Sequence, residues 1–192
     1  MIPKLHQYRY RMKIVKRMLD GKAGKVLDIG CFSNFLEKEL PEFDYVGLDL
    51  KRYNPSPKKF VRHNLDENPK LPFANNSFDF VICTEVLEHL LYPQKICQEI
   101  RRILKPTGFA IISLPNEFTV FERGFLLSGR NVMAEAGHKT IFDVKRARNF
   151  MKENFDVIEE EYFPAAEFKL LKPFTKIFPN LFANWIFFKV KK

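Results

Sequence analysis

An aspartate, a glycine and a second aspartate carry the first chemical signal in this chain. In KVLDIGCFSNFLEKEL, residues 25–40, an apolar run delivers Asp28 and Gly30 to a loop, and Asp49 follows Gly30 by nineteen residues. Backbone N–H groups of a loop running into a helix bind anions. A carboxylate about 20 residues beyond such a glycine accepts hydrogen bonds from ribose hydroxyls. The pair points to a nucleoside. Phe32 and Asn34 stand where a G-x-G-x-x-G loop has its further glycines, and Asp28 places a negative charge ahead of Gly30. Both features oppose a dinucleotide pyrophosphate, so NAD is disfavoured. A ligand with a cationic centre, an amino group and a single carboxylate tolerates that acid. The Phe32 side chain either turns outward and leaves its N–H free, or fills the ligand's space. Asn34 enters the following helix, where left-handed or capping geometry is expected.

These residues need a scaffold that brings strand ends together. Leu5, Tyr8, Met12, Val15 and Leu19 recur at helical spacing, so residues 3–20 read as an amphipathic helix ending at Gly21. Lys25–Ile29 and Tyr45–Asp49 read as strands around a helix from Phe35 to Leu40, a β-α-β unit. Phe60–His63 and Phe78–Cys83 read as the third and fourth strands. Ile96, Ile100, Ile103 and Leu104 stripe a helix that Pro106 and Gly108 are expected to end, and Phe109–Leu114 reads as the fifth strand. An irregular stretch is expected from 116 to 142. A helix then opens at Asp143 as N-cap with Val144, Ala147, Phe150 and Met151 inward, and Val157–Tyr162 and Trp185–Val190 read as the last strands. Alternation at this spacing predicts an α/β fold with a mostly parallel sheet covered on both faces.

Composition sets outer limits. The 192 residues, 46% hydrophobic and 15% aromatic, are enough for one compact domain with a sizeable core, and 1–192 is read as such. No stretch reads as a signal peptide or a membrane span, which predicts a cytoplasmic protein. Cys31, Cys83 and Cys97 lack paired spacing, so no disulfide framework or zinc site is read from them and no metal is expected. A net charge of +9 favours anionic partners without naming one. The segment 164–184, in which phenylalanine and leucine alternate with lysine, reads either as an interfacial membrane patch or as a flap over the sheet edge or a dimer partner.

VLDIGC (26–31), YVGLDL (45–50), LPFANNSFDFVICTEVLEHL (71–90) and ILKPTGFAIISLPN (103–116) resemble, in that order, the motifs of the class I S-adenosylmethionine-dependent methyltransferases, especially the small-molecule type 11 group. The resemblance implies a Rossmann-like seven-stranded sheet with an antiparallel last strand, and S-adenosylmethionine as cofactor. It implies that Asp28, Gly30, Cys31 and Phe32 pass under the methionyl part. Asp49, with Leu50 beside it, would hold the ribose. Asn64 and Leu65 would grip the adenine edge, the Asn64 side-chain oxygen accepting from the N6 amine. Cys83, Thr84 and Glu85 would lie beside the amino-acid end and the sulfonium.

Methyl transfer is an in-line displacement in which positioning supplies much of the catalysis. An oxygen acceptor still gains from a general base, and His89 is the first candidate, with Glu85 and His138 behind it. Glu88 is expected as a solvated helix residue. No [ND]-P-P-[FYW] motif follows the fourth strand and no RNA-binding module is evident, so a small-molecule, sugar or lipid-linked acceptor is favoured over nucleic acid, and O-methylation over other transfers. The alternatives are a methyltransferase-like binding protein with a blocked loop and an RNA methyltransferase.

Overall fold

A computed structural model describes residues 5–129 and 137–192. Its helices are α1 (Leu5–Met18), α2 (Phe35–Glu39), α3 (Pro93–Ile103), α4 (Val120–Leu127), α5 (Val144–Asn154), α6 (Lys172–Ile177) and α7 (Pro179–Phe182). Its strands are β1 (Gly24–Ile29), β2 (Phe43–Asp49), β3 (Phe60–Arg62), β4 (Phe78–Thr84), β5 (Leu104–Pro115), β6 (Asp156–Phe163) and β7 (Trp185–Lys191). They form one seven-stranded sheet in the order β3-β2-β1-β4-β5-β7-β6, with β7 antiparallel to both neighbours. The remaining pairings are parallel. The expected α/β architecture is therefore present. Strand order reverses between β1 and β4, so a crevice opens at their carboxyl ends.

Alternation along the strands assigns the two faces. Val26, Tyr45, Phe80 and Ile82 join Tyr8, Met12 and Val15 of α1 in one core layer. Leu27, Leu48, Val81 and Cys83 join Ile96 and Ile100 of α3 and Ala147 and Met151 of α5 in the other. The central strands are apolar on both faces because helices cover both. Asp143 caps α5 as expected, its Oδ1 accepting from the Arg146 N–H at 2.7 Å. No helix among the described residues is long and apolar enough to cross a membrane.

Two expectations fail locally. Pro106 and Gly108 do not separate a helix from a strand, because β5 already begins at Leu104 and contains both. The β4–β5 register shifts between Phe78 and Phe80, and a side chain on Gly108 would meet the Asp79 carbonyl oxygen at 2.5 Å. Proline and glycine here serve an irregular ladder, the place in a sheet that accepts them. The stretch from 116 to 142 is not irregular throughout. It contains α4, whose N-cap Thr119 accepts from the Glu122 N–H at 3.3 Å. Residues 130–136 of that stretch, and Pro3 at the expected start of the first helix, lie outside the described residues.

Candidate active site at the strand tips

The end of β1 bends at once. Gly30 has φ +75°, and a Cβ there would lie 2.5 Å from the Val86 side chain, so only glycine lets the β1 bend pass against the β4 bend. The Gly30 N–H donates to the Leu48 carbonyl at 2.8 Å, anchoring the loop to β2. Two residues on, Phe32 also has a positive φ, 53°. Left-handed geometry costs a non-glycine residue roughly 1–2 kcal/mol, and something must hold it there. The Phe32 N–H donates to Asp49 Oδ2 at 3.0 Å, and its ring packs at 5.5 Å from Tyr8 and 4.7 Å from Tyr53.

The free N–H expected at Phe32 and the left-handed or capping geometry expected at Asn34 are thereby corrected. The Phe32 ring closes an aromatic trio toward α1, and its N–H is not free but clasped by the carboxylate of the nucleoside signal. Asn34, with φ −83°, is not left-handed and makes no side-chain cap; its N–H donates to the Pro55 carbonyl at 3.2 Å. The strained position has moved from Asn34 to Phe32. Tyr8 pins the same loop from α1, its hydroxyl donating to the Cys31 carbonyl at 3.0 Å.

Asp28, on β1 two residues before Gly30, is buried and accepts from the Tyr45 hydroxyl. Burial pushes its carboxyl up to about 7, the Tyr45 hydrogen bond pulls it down, and the Asp49 charge pushes it further up. Asp49 itself accepts from Phe32 and, through Oδ1 at 3.3 Å, from the Lys51 N–H. Leu50 is exposed beside it. Further along the sheet edge, Asn64 uses its side-chain oxygen on the Asp66 N–H at 3.1 Å, an Asx turn, and Leu65 packs on the core.

The tip of β4 bends in the same manner, with Glu85 at φ 56°. Cys83 and Thr84 precede it, both buried; the Cys83 side chain lies in the core layer with Cys97, so only its main chain is left for a ligand. Glu85 accepts from the Ser113 hydroxyl at 2.9 Å and faces Arg11 of α1 at 3.9 Å. Burial raises its carboxyl above the ordinary range, and Arg11 and the Ser113 bond oppose that rise.

Glu88 overturns its expectation outright. It is fully buried in a single 3-10 turn, Leu87–His89, and neither carboxylate oxygen has a protein partner. Burial, and then the nearby Glu85 charge, push its carboxyl well up. His89 and His138 meet edge to face, ring centres 4.7 Å apart. His89 donates its Nδ1 proton to the Gly137 carbonyl at 3.3 Å, and His138 donates its Nδ1 proton to Glu117, which also accepts from the Phe142 N–H. In the neutral form each imidazole is thus left with Nε2 as the lone-pair nitrogen. Burial holds His89 below its ordinary value, so its ring is neutral at physiological pH.

Arg11, Ser113 and Glu117 were not singled out from the sequence. Arg11 left a readable trace: it stands three residues after Tyr8 and four before Val15, on the apolar face of α1, where a charge needs a buried partner. Ser113 and Glu117 left none, because Ser113 reaches Glu85 only through the β4–β5 pairing and Glu117 reaches His138 only where the 137–142 segment docks back on it. Beyond β5, α4 exposes Phe125 and Leu127 and the 164–184 segment exposes Leu170 and Phe178, and the two meet through the stacked Phe121–Phe168 rings.

A parallel sheet that reverses at a positive-φ bend, with a carboxylate at the next strand tip, defines a nucleoside-binding Rossmann-like protein. The chain belongs to the S-adenosylmethionine-dependent methyltransferases: a family model described as a methyltransferase domain matches residues 4–160. A ubiquinone biosynthesis O-methyltransferase of Aliivibrio fischeri is 30% identical over 128 residues, 58% of this chain and 53% of that protein. An uncharacterized protein of Methanocaldococcus jannaschii is 36% identical over 109 residues, 54% of this chain and 46% of its own. The chain spans about half the length of these curated relatives. Among solved structures, a SAM-dependent methyltransferase from Archaeoglobus fulgidus shares the fold with TM-score 0.66, 19% identity and complete coverage of both chains.

Proposed function

We propose that this protein transfers a methyl group from S-adenosylmethionine to a hydroxyl of a small or lipid-linked acceptor. The observation that carries the reading is the clasp between Asp49 and the Gly30–Phe32 bend at the point where the strand order reverses. The residues fit the cofactor. The Asp49 carboxylate spends one lone pair of each oxygen on loop N–H groups and keeps the others for ribose hydroxyls. Gly30 and Cys31 would hold the methionyl portion, Leu50 and the Leu65 backbone the adenine, and Asn64 would accept from the adenine amine with the remaining lone pair of its oxygen. Thr84 and the Cys83 main chain face the amino-acid end.

When bound, the cofactor supplies an electrophilic methyl on a cationic sulfur with a neutral thioether as leaving group. The chain's part is to hold the acceptor oxygen in line and to relieve it of its proton. His89, neutral and with its lone pair on Nε2, would take the proton of the acceptor hydroxyl as general base. Glu85, fixed by Ser113 and Arg11, sets the electrostatics of that end. The hydrocarbon of a lipid-linked acceptor matches the apolar surface of α4 and the 164–184 segment, whose lysines favour an acidic headgroup or membrane around it. The relatives named for ubiquinone biosynthesis favour the same acceptor class.

Calorimetric titration with S-adenosylhomocysteine tests the cofactor half. Saturable binding is expected, weakened by about 1–3 kcal/mol in Asp49→Ala, the worth of hydrogen bonds to a charged group. No heat up to millimolar ligand rejects the reading, and unchanged affinity in the variant removes Asp49 from it. Labelled cofactor supplied with a lipid extract tests the acceptor half.

A further inference from the structure

Glu88, His89 and His138 bring one ligand atom each within 4.8 Å of one another, a clustering of this kind that is found once among the described residues. The geometry points to a divalent transition-metal site there, with Glu88 and the Nε2 atoms of both histidines as its ligands. This rests on the proposed methyltransferase reading and specifies its acceptor end: with a cation present, activation of the acceptor hydroxyl passes from the His89 ring to the metal.

Three independent features support the site. Glu88 is fully buried with both oxygens unpartnered, and a buried carboxylate without a donor is a costly vacancy that a cation fills. Both imidazoles are already oriented as metal-ligating histidines are: each gives its Nδ1 proton to an acceptor, Gly137 for one and Glu117 for the other, which fixes the tautomer and leaves Nε2 for the metal. Glu117 in turn is held by the Phe142 N–H at 3.1 Å, so the carboxylate behind His138 is itself positioned. Two imidazoles and one carboxylate suit manganese, iron, cobalt or zinc rather than calcium or magnesium, and leave further coordination positions for acceptor oxygens. The turn Leu87–His89 is anchored to the following segment through the Glu88 carbonyl, which accepts from the Lys139 and Thr140 N–H groups at 2.8 and 3.1 Å. Those bonds keep His138 beside His89 across 49 residues of sequence.

The test uses the full chain, stripped with a chelator, and cobalt(II) as probe, since its visible absorption reports ligand number. One equivalent is expected to bind with micromolar affinity and a spectrum of nitrogen and oxygen ligation, and zinc is expected to displace it. Glu88→Gln and His138→Ala should each weaken binding by at least tenfold. Glu117→Gln should weaken it about 10- to 100-fold while touching no metal, the usual effect of losing a carboxylate behind a ligating histidine. The chain's other histidines, His6 and His63, supply the control. Cobalt binding that survives Glu88→Gln and His138→Ala but is lost in His6→Ala or His63→Ala would overturn the site, as would no saturable binding up to millimolar cobalt. S-adenosylhomocysteine calorimetry on the same variants reports folding and separates the two readings: retained nucleoside binding without cobalt binding sinks the metal alone, and cobalt binding without nucleoside binding sinks only the cofactor reading.

Discussion

The tips of β1 and β2 and the tips of β4 and β5 lie side by side, and each is built around a non-glycine residue held at positive φ, Phe32 in one and Glu85 in the other. They treat their carboxylates in opposite ways. At β1–β2 every acid is answered: Asp28 by Tyr45, Asp49 by two loop N–H groups, with three aromatic rings sealing the outside. At β4–β5, Glu85, Glu88 and Glu117 crowd against one arginine and two histidines, and the Glu88 carboxyl oxygens have no hydrogen-bond donor. On the proposed reading the first region is a finished shape that the cofactor enters. The second, on the proposed reading, keeps one unmet group, the Glu88 carboxyl, for a ligand to complete. A binding loop must exist before its nucleoside arrives, whereas an acceptor end gains by spending its charge on what it binds.

If the β1–β2 side owes its function to shape, the largest effect comes from spoiling that shape. Gly30→Ala forces a side chain into positive φ, at about 1–2 kcal/mol, and into the Val86 methyl, at about 1–3 kcal/mol more. A loss of about 2–5 kcal/mol in denaturant unfolding is expected, along with S-adenosylhomocysteine affinity. A variant as stable as the parent would mean that the two bends do not meet.

The next effect concerns sign as well as size. Asp28 titrates at about 7 in the folded chain and near 4 in the unfolded one. Between those values the unfolded chain has released the proton that the folded chain keeps, so this group's contribution to stability is complete below about pH 4. It declines by on the order of 1 kcal/mol per pH unit and is lost by about pH 7. Asp28→Asn has nothing to titrate. Its stability relative to the parent should therefore rise steadily from pH 4 to pH 7 and stay level above, whatever constant offset the amide brings. Denaturant midpoints for both proteins across that range read the slope directly, and parallel curves would show that Tyr45 already keeps the acid ionised.

The same contrast explains what could be read from the chain. The strands and the Asp28–Gly30–Asp49 signal are local patterns of period, spacing and residue type, and they are legible because each spans a few tens of residues. The loop's internal geometry was not, because whether Asn34 or Phe32 takes the left-handed bend depends on Tyr8 and Tyr53, rings from elements before and after it. At β4–β5, Glu85, His89 and His138 could be named from the chain, but not their partners Arg11, Ser113 and Glu117, nor the burial of Glu88. EVLEHL looks like a solvated helix, and only its collapse into a 3-10 turn under the 137–142 segment turns Glu88 inward.

Glu88 gives the smallest effect and the sharpest form of the comparison. In the metal-free protein it is a buried acid without a hydrogen-bond donor, so Glu88→Met, of similar length and apolar, should stabilise the fold by about 1–3 kcal/mol. At β1–β2 removing a carboxylate breaks a bonded network, whereas here it removes a debt. Chemical denaturation in chelator measures the gain, and a loss would mean that the carboxylate has an internal partner. Zinc should then reverse the order. At a hundredfold excess over its dissociation constant, a ligand that binds only the folded state adds about 2.7 kcal/mol to the parent. It adds far less to the variant, which has lost its one anionic ligand. Two stability curves that cross on adding metal would tie the unmet valence of Glu88 to the cation; curves that move together would assign the metal to some other part of the surface.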